Sequence, residues 1–185
     1  MTAEEAVLGR VIGILDALAI PYMVTGSIAT SFHGRPRATH DADVVVDLSP
    51  DQLEAFVREL DANAFYVSVE AARTALAERR QFNVIETTRA TKLDVIIRKD
   101  RAFSREEFAR RQRVSLPFAS PVSIVTPEDA ILSKLEWARR AGDSERQLRD
   151  AAGVLELNPA LDRQYIDRWA VELGGLDLWR RLAAQ

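Results

Sequence analysis

The sequence predicts an α/β (α+β) fold: a mixed sheet with flanking helices, followed by a helical C-terminal region. Three observations carry this. Short β-branched runs alternate with helical periods through the first two thirds of the chain, and helical periodicity stands alone from about Pro127 onward. The 185 residues are 47% hydrophobic and 29% charged, an ordinary composition for one globular domain or a domain with a small appendage. The chain holds no internal repeat and no low-complexity segment.

Taken in order, Ala6, Val7, Val11, Ile14, Leu15 and Leu18 recur at helical spacing and predict a helix over 3–19, ending before Pro21. Residues 21–25 read as a short buried strand. After Gly26-Ser27, residues 28–32 form a short helix that stops at Gly34, and 35–39 are an irregular link. Residues 41–48 are β-branched at their centre and predict a strand despite their acids. Leu53, Phe56, Val57 and Leu60 set a helix over 50–60, followed by a strand at 65–69 and a helix at 71–80. Residues 81–87 and 92–97 predict two antiparallel strands, 105–113 a basic helix end, and 122–125 a last strand. Pro127-Glu128-Asp129 opens a helix to Arg140, because Pro suits the first turn and acids suit the positive end of the helix dipole. Further helices are expected over 144–157 and from 162 to the end. The expected division is a core over 1–125 and a helical region over 126–185 packed on it.

Composition excludes several chemistries. With no cysteine there is no disulfide, thiol nucleophile or thiolate metal site, and with only His33 and His40 a metal would sit mainly on carboxylate oxygens. No apolar stretch reaches the roughly 20 residues of a membrane span, and the start Met-Thr-Ala-Glu-Glu is acidic, so a cytoplasmic protein is expected. The net charge of -3 hides a segregated chain: residues 1–70 hold 4 basic and 11 acidic side chains, whereas residues 71–149 hold 17 and 11.

The acidic part contains Thr39-His-Asp-Ala-Asp-Val-Val-Val-Asp47. Alternate residues of a strand share a face, so Asp41 and Asp43 point one way and Val44 and Val46 the other. A pair of like charges held side by side calls for a cation or a shared proton. Asp94 interrupts an apolar strand, where an acid is costly unless paired or bound to a cation. Three such acids suit a two-metal clamp. Gly26-Ser27, at a strand end that opens a helix, allows backbone N–H groups and a hydroxyl to approach phosphate.

Gly26-Ser27, then Gly34…Arg37-x-Thr39-x-Asp41-x-Asp43 before an apolar strand, with Asp94 on a later one, resembles the polymerase-β-type nucleotidyltransferase superfamily. Within it, this wording, the later Thr126-Pro-Glu-Asp-x-x-x-x-Lys134 and Arg149-Asp150 are similar to the AbiEii-like, toxin-type bacterial branch. The resemblance spans residues 20 to 157. It implies Asp41, Asp43 and Asp94 as ligands of Mg²⁺, two ions in all, with Asp94 also the candidate base. It implies Gly26 and Ser27 as triphosphate contacts and Lys134 as a nucleotide- or phosphate-binding lysine. The activity implied is transfer of a nucleoside monophosphate from a nucleoside triphosphate such as ATP to an acceptor hydroxyl, with tRNA or another RNA as acceptor and an antitoxin as protein partner. Toxin relatives carry a longer C-terminal helical domain with an Arg-x-Lys-Asp signature, of which only Arg149-Asp150 remains.

Other residues have plainer readings. Arg37 is a candidate phosphate contact, and Arg35 a charge partner of nearby acids. Thr39 satisfies backbone at the strand entrance. His40 falls out of register with the acids and Asp47 too far along the strand to share their metals. The stretch 98–113 carries seven basic and three acidic residues, which suits a nucleic-acid acceptor. Phe103, Phe108, Trp137, Trp169 and Trp179 read as packing. An aminoglycoside-type small-molecule nucleotidyltransferase and a non-catalytic nucleotide- or partner-binding protein are the alternatives.

Overall fold

The structure is a computed structural model that describes residues 1–39 and 41–184, apart from the side chain of Ser120. The chain forms two compact units, one of residues 1–25 and 39–124, the other of residues 26–38 and 125–185. A single cut near residue 125, as expected from sequence, leaves residues 26–38 with the sheet; their contacts group them with the C-terminal helices.

The first unit is a seven-stranded mixed sheet in the order β3-β4-β5-β2-β1-β7-β6. Its strands are β1 (Tyr22–Thr25), β2 (Ala42–Val46), β3 (Phe65–Val67), β4 (Gln81–Glu86), β5 (Thr91–Ile97), β6 (Gln112–Leu116) and β7 (Ala119–Ile124). β1 runs parallel to β7 and β2 parallel to β5, while the remaining neighbours are antiparallel. Helix α1 (Ala3–Ala17) is opened by a capping box between Thr2 and Glu5 and buries Val7, Leu8, Val11, Ile12 and Leu15 against β2, β5 and β7. Ser49 and Gln52 cap α3 (Pro50–Ala62) in the same way, with Pro50 in its first turn. Ser68 caps α4 (Val69–Glu78), and α5 (Ala102–Arg110) completes the unit.

The second unit is helical: α2 (Gly26–His33), α6 (Pro127–Arg140), α7 (Glu145–Leu157), α8 (Arg163–Glu172) and α9 (Leu176–Ala183). A Cβ on Gly34 would lie 2.7 Å from Val154 N and 2.8 Å from Gly153 C, so only glycine lets the end of α2 approach the backbone of α7. Asn158 Nδ2 donates to the His33 carbonyl at 2.7 Å, and His33 Nε2 lies 2.7 Å from the Val125 carbonyl. Buried Asp129 receives the Thr126 and Tyr165 hydroxyls at 2.7 and 2.6 Å, which fixes the start of α6 to α8.

Two local expectations need correction. The basic run 105–113 is split between α5 and the edge strand β6, where only Val114 and Leu116 alternate with exposed residues, too few to mark a strand in the sequence. The helix expected from 162 to the end breaks into α8 and α9 at Gly174-Gly175, where Gly174 has φ of +70°. Among the described residues, no helix is long and apolar enough to cross a membrane.

Candidate active site

In the sheet unit, β2 buries Ala42, Val44 and Val46 on one face and turns half-buried Asp43 to the other. Thr25 of β1 pairs with Asp43, and Asp43 pairs with Asp94 of β5. Direct cross-strand partners share a face, so Thr25, Asp43 and Asp94 form a row across three strands. Asp94 is 8% exposed. The ammonium of Lys92, two residues earlier and thus on the same face of β5, sits 3.1 Å from its Oδ1 and 3.2 Å from its Oδ2. It donates to Oδ2; Oδ1 is buried and accepts no hydrogen bond.

Asp41 lies just before β2 and is exposed. Its N–H donates to the Thr39 hydroxyl at 3.3 Å, and that hydroxyl donates to the Asp41 carbonyl at 3.0 Å, so Thr39 closes the entrance of the strand. Asp47 pairs with Arg98 at 3.0 Å. His40 lies outside the described residues. Among the described residues, no three histidine or acidic side chains gather closely enough to hold a metal ion. The structure thus brings Asp43 and Asp94 together by register and leaves Asp41 outside the strand.

The donor set of Asp43 and Asp94 fits Mg²⁺. Both groups are hard oxygen ligands, they are adjacent, and one buried oxygen of Asp94 lacks a donor. Mg²⁺ is commonly bound by one or two carboxylates, with water and substrate phosphates completing its shell.

The helical unit holds a second charged cluster. Gly26, the first residue of α2, has φ of +65°, a conformation that favours glycine. Next to it, the buried Ser27 hydroxyl accepts from Arg37 Nη2 at 2.8 Å. Arg37 also makes a two-pronged contact with Asp150, Nε to Oδ1 at 2.7 Å and Nη2 to Oδ2 at 2.8 Å. Lys134 Nζ, on buried α6, reaches the same carboxylate at 2.9 Å. Burial would raise the Asp150 pKa, but the hydrogen bonds from Arg37 and Lys134 outweigh it and hold the carboxyl below its usual range. Ser27, Arg37 and Lys134, three residues singled out for nucleotide binding, therefore gather within this unit around Asp150.

Asp150 itself is visible in sequence only as part of Arg149-Asp150; nothing local says which cations it holds. Lys92 carries a readable signal, since it stands two residues from Asp94 in a strand. Its significance depends on which way the long side chain folds.

The basic segment 98–113 is engaged locally. Arg98 pairs with Asp47, Arg105 with Asp100 at 2.8 Å, Arg101 donates to Ser104, and Arg111 stacks 4.2 Å from the Phe108 ring centroid. Phe103 and Phe108 are buried, as expected. Of the tryptophans, Trp179 is buried with its indole N–H on Asp167 at 2.7 Å, whereas Trp137 is 53% exposed and is not core.

No protein-family model matches the sequence, nor does any curated protein. Solved structures match over nearly the full chain. The crystal structure of ANT(2")-Ia in complex with adenylyl-2"-tobramycin aligns with a TM-score of 0.60 at 14% identity, covering 93% of this chain and 97% of its own. An antigenic nucleotidyltransferase-like protein from Paracoccidioides brasiliensis aligns at 0.58 and 16% identity, covering 98% and 93%. The solution structure of the antibiotic-resistance factor ANT(2")-Ia gives 0.55 at 16%, covering 97% and 92%. The chain shares the nucleotidyltransferase fold; no comparison singles out the AbiEii-like branch.

Proposed function

We propose that the protein is a cytoplasmic nucleotidyltransferase that moves a nucleoside monophosphate from a nucleoside triphosphate to an acceptor hydroxyl. The observation that carries this reading is the row Thr25–Asp43–Asp94 in strand register, on a fold shared with nucleotidyltransferases. Asp43 and Asp94, joined by Asp41, are the residues that would hold one or two Mg²⁺ ions. When bound, Mg²⁺ supplies charge neutralisation for the triphosphate and the departing pyrophosphate.

The remaining steps belong to the chain's own residues. Gly26, whose backbone can approach a phosphate closely, and Ser27, at the start of α2, receive the triphosphate. Arg37 and Lys134 add positive charge. The acceptor oxygen forms a bond to the α-phosphorus as the bond to the bridging oxygen of the pyrophosphate breaks. The acceptor proton passes to Asp94, whose Oδ1 accepts no hydrogen bond within the protein. Positioning and charge compensation supply most of the rate.

Two acceptor readings follow. An RNA acceptor such as tRNA, in a toxin-like enzyme countered by an antitoxin, rests on the sequence resemblance and on the basic segment 98–113. A small cationic acceptor is favoured by the full-length likeness to ANT(2")-Ia, which was captured with adenylyl-2"-tobramycin, and by the local engagement of several arginines in that segment. Incubation with each α-labelled triphosphate, Mg²⁺ and either total tRNA or an aminoglycoside panel separates them. Label should enter one pool and vanish with Asp43→Asn. Labelling that survives this substitution overturns the site.

A further inference from the structure

Lys92 has no part in the proposed chemistry, yet its ammonium sits where a cation is expected. It bridges both oxygens of Asp94 at 3.1 and 3.2 Å and leaves Oδ1 without a hydrogen bond. The Lys92 side chain is 44% exposed and that of Asp94 11%, so a solvent-reaching arm lies against a nearly buried carboxylate. Asp43, in register on the adjacent strand, places a second carboxylate on the same face. At Asp94 the nearby positive charge is that of Lys92.

An ammonium that spans both oxygens of Asp94 occupies the positions from which a divalent ion would bind and repels that ion at short range. The metal must therefore turn Lys92 away. Nothing in the stem of Lys92 prevents this: it is largely exposed, and its four-carbon arm has ample rotamer freedom.

We propose that Lys92 is a tethered counter-cation of Asp94, which a divalent ion must displace from that carboxylate to bind, so that Lys92 sets the metal affinity of the site. The inference rests on the reading of Asp43 and Asp94 as metal ligands. It adds a competition that this reading alone does not contain: Asp94 carries a cation from its own strand, and only an ion that outcompetes it loads the site.

Titration with Mn²⁺, followed by the paramagnetic signal of the free ion, tests this on the wild-type chain, Lys92→Gln, Lys92→Arg and Asp43→Asn. Lys92→Gln should bind Mn²⁺ about fivefold more tightly, equivalent to about 1 kcal/mol at 1.4 kcal/mol per tenfold change. Lys92→Arg should stay close to wild type, and Asp43→Asn should lose the site. A second readout needs no variant. The chain has three lysines, so mass spectrometry after brief acylation reports on each. Reactivity of Lys92 should rise when Mn²⁺ is added, while Lys134, buried against Asp150, stays constant. If Mn²⁺ binds, is lost with Asp43→Asn, and is held equally or less tightly by Lys92→Gln, the role of Lys92 is overturned and the metal reading stands. Unchanged acylation of Lys92 with Mn²⁺ bound likewise overturns that role and leaves the metal reading in place. If none of the four proteins binds Mn²⁺, the metal reading fails and the counter-cation role with it.

Discussion

The sheet unit and the helical unit each hold a lysine against an aspartate, and the two pairs are built differently. Around Asp150, Arg37 supplies two hydrogen bonds and Lys134 a third contact, and both Lys134 and Asp150 are nearly buried. Around Asp94, one half-exposed lysine lies close to both oxygens but donates a hydrogen bond to only one of them. A saturated, buried ion cluster resists change, since removing one member strands the others. An undersaturated carboxylate beside a second acid is open to a new cation. The difference separates a cluster whose charges are already paired within the protein from one with room for a further cation.

Substitution at Asp150 tests that contrast with the largest expected effect. Asp150→Ala strands Lys134 and Arg37 and should cost about 3–5 kcal/mol in urea unfolding, the usual penalty for breaking a buried pair. Asp43→Asn should do the reverse, leaving stability unchanged or raised while cutting nucleotidyl transfer by at least about 100-fold, comparable to the loss of one charge-stabilising group in an active site. Equal destabilisation by both would erase the distinction.

Gly34→Ala probes the same helical unit through packing. The added methyl meets backbone atoms of Gly153 and Val154, which cannot swing aside. A loss of about 1–3 kcal/mol, typical of overpacking, is expected in the same assay.

Acid unfolding gives a graded test. The Asp150 pKa is lowered in the folded state, so its stabilisation is fully present above the unfolded carboxyl pKa of about 3.9 and is lost as pH falls through the lower folded value. Unfolding free energy should therefore drop in that acid window for the wild-type chain, and less steeply for Asp150→Asn. The smallest effect is expected at the exposed Arg73–Glu54 pair at 2.7 Å, where Arg73→Ala should leave the unfolding midpoint unchanged within error.

Much of the local architecture is legible in the chain. The start of α3 at Pro50 is legible, Gly34 marks the end of α2, and alternation sets Asp43 opposite the buried Val44 and Val46. Strand β6 is not, because in the edge strand Gln112-Arg-Val-Ser-Leu116 only Val114 and Leu116 alternate with polar residues, too short a run to stand out beside the preceding basic helix. Trp137 departs from its expected packing role for a related reason: helical spacing marks a face, but only the neighbours that pack there decide whether the face is covered.

The sequence by itself determined the starts of α1, α3 and α6, most of the strands, and the placing of Asp43 opposite Val44 and Val46 in β2, since these depend on residues within a turn or two of one another. Only the tertiary structure decided that Asp43 stands in register with Asp94, that Asp150 gathers Arg37 from 113 residues away together with Lys134, and that Lys92 folds onto Asp94. The physical reason is choice among equivalents. With 22 arginines and 28 acids in the chain, many pairings have the right charges, and which of them form is fixed by the strand register and helix packing that bring the groups within reach.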